Sequence, residues 1–205
     1  AIHHLFGKCK ERSVSGINGV AWDVVEFPSQ FLENFAYEAA ILKRFGFHYE
    51  TNEPISDELK KKIKETKNCQ AALGILRQVE FSLFDFVLHQ NLYQGEEVQS
   101  LLDGIREKTS LLKPPSYNKF QHGFAHIFAG GYAAGYYSYK WAEVLSADAF
   151  FSCLDNESGF DKERARGYKE YILASGGALE MSDLYQEWLG RKADVKSLIK
   201  LYEIA

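Results

Sequence analysis

Apolar side chains recur at steps of three and four residues along most of the chain, which is the spacing of one helix face. Such stripes predict helices over 71–89 and 96–108, and further helices toward the C-terminus. The first has one apolar stripe formed by Leu76, Val79, Leu83 and Phe86, and Phe84, Val87 and Leu88 widen it. Because the apolar surface is so broad, we expect this helix to be buried between other helices. No credible series of alternating strands is present, so the sequence predicts an all-α or nearly all-α fold of many helices.

The stretch 23–35 carries two unlike stripes and predicts a helix that continues to about Lys43. Its apolar stripe is formed by Val24, Phe27, Phe31 and Phe35, and its acidic stripe by Asp23, Glu26, Gln30 and Glu33. Asp23 is a plausible N-cap, and Pro28 is tolerable because it lies near the helix start. The pattern alone favours a solvated acidic face over a core. A sharper hypothesis makes Glu26 a metal ligand, with Asp23 behind it to orient the carboxylate.

A second informative stretch, 124–141, combines glycines with tyrosines. We expect a glycine-rich loop that opens a helix, with Tyr132, Tyr136 and Tyr139 on one helix face at i, i+4 and i+7. On the pattern alone, these rings are more typical of an aromatic core stripe than of a binding site. A phosphate-binding loop is not indicated, because the glycines have the wrong order and no strand precedes them.

Composition narrows the classes of function. The chain of 205 residues has a formal net charge of −4, so it lacks the basic surface of a nucleic-acid-binding protein. Its three cysteines are widely spaced and form no Cys-x-x-Cys pair, which fits a reducing cytoplasm and indicates no sulfur metal site. The most apolar window, 125–145, contains charged residues and is a poor membrane span. We expect one domain of ordinary size or two small lobes.

The segment Val25-Glu26-Phe27-Pro28-Ser29-Gln30 resembles the Val-Glu-x-Pro-Ser-Gln signature of the thimet oligopeptidase and oligopeptidase A family of zinc peptidases. The resemblance covers residues 1–205 and is closest to the bacterial oligopeptidase A members. It implies that the chain is the C-terminal part of a zincin-like metallopeptidase catalytic domain. It also implies that Glu26 is the third zinc ligand, with Asp23 behind it.

The family also has a histidine, then Ala-Gly-Gly-Tyr, then Tyr-Tyr-x-Tyr-x-Trp, in its substrate cleft. The 124–141 stretch is similar. The resemblance implies that Tyr139 stabilises the oxyanion, that His126 supports the intermediate and binds substrate, and that Tyr136 and Tyr132 contact substrate. The implied reaction is zinc-dependent hydrolysis of internal bonds in short peptides.

The chain departs from the family at its front, because the His-Glu-x-Gly-His motif is absent. Residues 1–6 look like the continuation of the zinc helix, and the adjacent His3 and His4 point to different faces and cannot chelate together. The only methionine is Met181, so we expect a piece of a longer protein, whether cut, processed or cloned. Alone it is expected to be inactive and not to hold zinc; its partners would be short peptides and the missing N-terminal part. The alternative is a catalytically empty helical module that binds peptides or a partner chain.

Overall fold

The computed structural model describes residues 1–155 and 157–204. Its α-helices are α1 (Ile2–Phe6), α2 (Trp22–Val25), α3 (Phe27–Phe35), α4 (Ala39–Phe45), α5 (Asp57–Thr66), α6 (Ala71–Leu88), α7 (Glu96–Thr109), α8 (Ala125–Phe128), α9 (Ser138–Cys153), α10 (Lys162–Gly167), α11 (Met181–Leu189) and α12 (Lys196–Tyr202). Shorter turns of 3-10 helix cover Arg12–Val14 and Phe120–Gly123, and a π-helix covers Tyr168–Leu173. Within the described ranges, β pairing is limited to one isolated bridge, Phe47 to Pro54. The all-α prediction is confirmed.

The chain divides into two compact units. Unit 1 comprises Ala1–Cys69 and Trp141–Ala205, and unit 2 comprises Gln70–Lys140. Each unit has its own cluster of buried apolar side chains.

The core of unit 1 is built on the apolar stripe of the 23–35 segment. Phe27 is fully buried and Phe31 is 3% exposed. Both rings pack against Tyr168 of the π-helix, with centroid distances of 5.7 and 4.2 Å. Because Tyr168 extends the cluster toward α11, this stripe joins three segments that are far apart in sequence. The apolar face predicted from the sequence is confirmed.

The single long helix predicted over 23–43 is wrong. The segment forms α2, α3 and α4, and Glu26 occupies the junction where α2 ends and α3 begins. Pro28 lies in the first turn of α3, where its missing N–H breaks no helical hydrogen bond. The N-cap of α2 is Ala21, whereas Asp23 lies in the first turn. The break leaves Glu26 at a bend between two helices.

A pair of glycines after the π-helix holds the loop that precedes α2. The Gly177 N–H donates a hydrogen bond of 2.9 Å to the carbonyl of Val14. A Cβ at position 177 would lie 2.4 Å from the carbonyl carbon of Gly19, so only glycine fits there without displacing backbone. Gly176 has a φ of +55°, which glycine adopts readily. This close approach fixes the path of the chain toward Glu26.

Unit 2 is centred on α6 and α7. The buried Glu80 of α6 accepts hydrogen bonds from Arg77 and from Arg106 of α7, at 2.7 and 3.0 Å. This pairing compensates for the cost of burying the carboxylate. The predicted burial of the whole α6 stripe is wrong, because Val79, Leu83 and Phe86 are 39–50% exposed. Phe84, which widens the predicted stripe, is fully buried, and so is Asp85 beside it.

Candidate active site

The glycine- and tyrosine-rich segment of unit 2 is mostly a loop. Residues 129–137, hereafter the tyrosine loop, connect α8 to α9. The Tyr132 N–H donates to the carbonyl of His126 at 3.0 Å, and Gly131 and Ala134 have φ values of +84° and +54°. Tyr132 and Tyr136 lie in the loop, and only Tyr139 lies in α9. The prediction that the three tyrosines share a helix face is therefore wrong, because these left-handed residues interrupt the helix.

The loop nevertheless brings the predicted side chains together. The ring of His126 lies 6.1, 5.7 and 6.1 Å, centroid to centroid, from the rings of Tyr132, Tyr136 and Tyr139. The ring of Tyr139 lies 5.0 Å from that of Tyr132, in a stacked arrangement, and 5.0 Å from that of Tyr136. We call these four side chains the aromatic cluster. One imidazole and three phenols thus occupy one site.

The aromatic cluster is buried on one side and open on the other. Tyr136 is 7% exposed and packs against Phe81 and Phe124. His126 is exposed and Tyr139 is half-buried. A ligand that approaches the open side meets the imidazole of His126 and the phenol of Tyr139. Both groups can donate a hydrogen bond.

Burial sets the protonation of the innermost phenol. Loss of solvent raises the pKa of Tyr136, and the neighbouring Tyr139 raises it further. A hydrogen bond from Gln78 of α6 works in the opposite direction, because it favours the phenolate. With its pKa raised, Tyr136 keeps its proton at neutral pH and remains a hydrogen-bond donor. Donors held in place near a reacting carbonyl can stabilise negative charge on its oxygen.

One residue behind the loop was missed by reasoning from the sequence. Asp85 of α6 is 1% exposed, and its carboxylate accepts hydrogen bonds from the backbone N–H groups of Ala134 and Tyr136, at 2.9 and 2.8 Å. His89 was interpreted as a cation at the helix C-terminus, and it is the C-cap residue of α6, with Nδ1 2.7 Å from the Asp85 carbonyl oxygen. The sequence did contain a signal for this residue, an aspartate inside a broad apolar run. Such an aspartate is expected to be buried, and a buried carboxylate requires hydrogen-bond donors.

The predicted metal ligand lies in unit 1. Glu26 is half-buried, and its Oε2 accepts a hydrogen bond of 3.0 Å from the hydroxyl of Ser29. The hydroxyl also donates to the Glu26 carbonyl at 2.9 Å, so Ser29 ties the side chain to the bend. Asp23 lines a cavity of about 300 Å³ together with Trp141 and Gly177.

The residues of this chain do not by themselves fit a complete zinc site. Across residues 1–155 and 157–204, no group of three or more His, Cys, Asp or Glu side chains is placed to hold a metal ion. Glu26 can supply one oxygen ligand, whereas a catalytic zinc site needs three protein ligands. His3 is buried and the adjacent His4 is exposed, so the expectation that they point to different faces is confirmed.

Residues 1–204 match the model of peptidase family M3. The chain belongs to this family. It is 45% identical over 205 residues to oligopeptidase A of Escherichia coli, covering 99% of this chain and 30% of that protein. It is 38% identical to the probable cytosolic oligopeptidase A of Arabidopsis thaliana, covering 98% of this chain and 29% of that protein. It is 33% identical to saccharolysin of Saccharomyces cerevisiae, covering 97% of this chain and 28% of that protein.

The chain therefore spans about 30% of the length of the curated relatives that it matches. The M3 assignment confirms the resemblance found in the sequence. No helix in the described part of this M3 chain is long and apolar enough to cross a membrane.

Proposed function

We propose that this chain is the C-terminal part, residues 1–205, of the catalytic domain of a zinc-dependent oligopeptidase that hydrolyses internal bonds of short peptides. Glu26 is the zinc ligand from this chain, and Asp23 orients it. The two further ligands are histidines of a His-Glu-x-Gly-His motif that these 205 residues do not contain. In such enzymes a bound zinc activates water and polarises the scissile carbonyl.

The observation that carries the proposal is the convergence of the aromatic cluster in a member of family M3. The ring of Tyr139 lies 5.0–6.1 Å, centroid to centroid, from the other three rings, although the four residues come from α8, a loop and α9. Within these 205 residues the histidine is exposed and two phenols are half-buried, so their polar groups are accessible from outside the chain.

The proposed roles follow from the chemistry of acyl transfer. Attack on a peptide carbonyl places negative charge on its oxygen, and Tyr139 donates a hydrogen bond to that oxygen with support from His126. Loss of one such donor typically lowers the rate by about 10² to 10³. Tyr136 and Tyr132 contact the peptide, and Tyr136 also holds the neighbouring rings in place because it is the most buried of the four.

The proposal is tested on the complete gene product, meaning the whole protein that the gene of this chain encodes. We expect about one zinc per molecule by mass spectrometry and chelator-sensitive cleavage of a quenched fluorescent peptide. Glu26→Gln should lose both zinc and cleavage. Tyr139→Phe should keep zinc and lower kcat by about 10².

Tyr137→Phe is the matched control, because Tyr137 lies in the same loop and is 42% exposed. It should keep wild-type kinetics. Peptide binding without zinc and without turnover would instead support the catalytically empty binding module. The partners proposed for the parent are short peptides, and the cytoplasm is the proposed location because one relative is described as cytosolic.

A further inference from the structure

The buried carboxylate of Asp85 has no role in the chemistry proposed above. It projects from the inner side of α6, seven residues after Gln78, which bonds the phenol of Tyr136. Residues seven positions apart lie on the same face of a helix. The same face of α6 thus contacts the tyrosine loop at two places. Gln78 bonds the phenol of Tyr136, and Asp85 accepts hydrogen bonds from the loop backbone.

The two carboxylate oxygens of Asp85 act on the backbone of the loop. Oδ1 accepts the N–H of Ala134 at 2.9 Å, and Oδ2 accepts the N–H of Tyr136 at 2.8 Å. Both amides belong to the turn in which Ala134 has a left-handed φ of +54°. A non-glycine residue in that region is strained, and contacts from the surrounding structure must hold it there. Hydrogen bonds to an ionised acceptor are roughly twice as strong as neutral ones.

The loop geometry controls the direction of the aromatic side chains. Tyr136 follows Ala134 by two residues, and Tyr139, three residues later, lies in the first turn of α9. If the two amides lose their shared acceptor, the left-handed turn can relax and both phenols shift together. A displacement of about 1 Å at a catalytic group can cost about 10² in rate.

We propose that Asp85 is a positioning residue, whose carboxylate fixes the tyrosine loop so that the phenols of Tyr136 and Tyr139 face the substrate. His89 lies beside this carboxylate, with Nδ1 3.0 Å from Oδ1 and 2.7 Å from the Asp85 carbonyl oxygen. The kinetic part of this inference rests on the proposed function, whereas the structural part does not.

Two substitutions in the complete gene product separate the two hydrogen bonds. Asp85→Asn keeps the shape and one acceptor oxygen, and its amide NH₂ cannot accept from the second N–H. Asp85→Ala removes both acceptors. Hydrogen exchange, resolved to single amides by fragmentation mass spectrometry, should show faster exchange at one of the amides of Ala134 and Tyr136 in the first variant and at both in the second. Each affected amide should exchange at least about 10-fold faster.

The kinetic readout is the split between kcat and KM. We expect Asp85→Asn to lower kcat about 10-fold and Asp85→Ala about 100-fold, with KM changed less than about threefold and zinc content unchanged. The matched control is Asp148→Asn, which alters another buried aspartate, in unit 1, whose partners are side chains. It should lower stability and leave both loop amides and kcat unchanged.

Wild-type exchange at both amides in Asp85→Ala would overturn the inference. So would equal loss of kcat in the Asp85 and Asp148 variants, compared at temperatures equally far below their melting points. If the wild-type protein cleaves no peptide, the proposed function fails, and the exchange experiment still decides whether Asp85 holds the loop.

Discussion

Two buried aspartates, one in each unit, differ in the kind of hydrogen-bond donor that they accept from. Asp148 of unit 1 is 2% exposed and accepts hydrogen bonds from the side chains of Tyr185, Arg191 and Ser197. Asp85 of unit 2 accepts from two backbone amides of a loop. The first joins α9 to α11 and the segments that follow it. The second shapes a loop that carries the aromatic cluster. The comparison shows that the hydrogen-bond donors of a buried carboxylate indicate its role. The side-chain donors of Asp148 connect packed helices, whereas the backbone donors of Asp85 fix the conformation of a loop.

The largest expected effect comes from removing the carboxylate of unit 1. Asp148→Ala leaves the buried hydroxyl of Tyr185 without its acceptor and removes the ion pair with Arg191, whose side chain is exposed. We expect a loss of about 3 kcal/mol in the opening free energy of α11 and α12, mostly from the unsatisfied hydroxyl. Hydrogen exchange of residues 181–202 in the complete gene product measures it. Unchanged protection there would show that the network is not what holds these helices.

The same carboxylate should make unit 1 sensitive to acid. Burial alone would raise the pKa of Asp148, but the hydrogen bonds from Arg191, Tyr185 and Ser197 outweigh it and lower that pKa. A carboxyl group with a lowered pKa in the folded state stabilises the fold fully above its ordinary pKa of about 3.9. Its contribution is lost as the pH falls toward the lower, folded-state value.

The stability difference between wild type and Asp148→Asn should therefore be constant from about pH 7 to about pH 5 and shrink below about pH 4. Unfolding by urea at a series of pH values measures this difference. A difference that stays constant down to about pH 2 would contradict the lowered pKa.

Two glycines give the next largest effects, with opposite signs in the two units. Gly177→Ala in unit 1 would place a Cβ 2.4 Å from the Gly19 backbone, and we expect destabilisation of about 2 kcal/mol. Gly74→Ala in α6 of unit 2 meets nothing within 4 Å, and we expect stabilisation of about 0.5–1 kcal/mol. Equal effects from the two substitutions would mean that the close approach at Gly177 is not rigid.

Much of the fold could be predicted from the sequence because local patterns determine helices. The N-cap at Ser56 accepts from the Leu59 N–H, and Gly190 ends α11 with a φ of +71°, both as their residue types indicate. The break at Glu26 was missed because the apolar stripe continues through it. Pro28 was the signal, since a proline fits the first turn of a new helix better than the interior of a long one.

The candidate site was predictable only in part. The aromatic residues were identified because the sequence around them matches a family signature. Their helical spacing led to a wrong prediction of one shared helix face, because Tyr132 and Tyr136 lie in a loop. The conformation of that loop depends on Asp85, which is 49 residues before Ala134. No local pattern shows a contact of that length. The roles of Glu26 and Asp23 as metal ligand and orienting group stay predictions.

The smallest expected effect sharpens the view of unit 2. The Gln78 side chain bonds the phenol of Tyr136 and lowers a pKa that burial raises. Gln78→Leu removes a donor to the phenolate, so the pKa of Tyr136 should rise further. The alkaline absorbance change that Tyr136→Phe abolishes identifies this phenol in the titration. Gln99→Leu is the control, since Gln99 bonds Lys119 and Gln121 in the same unit. If both glutamine variants leave the titration unchanged, Gln78 does not support the phenol.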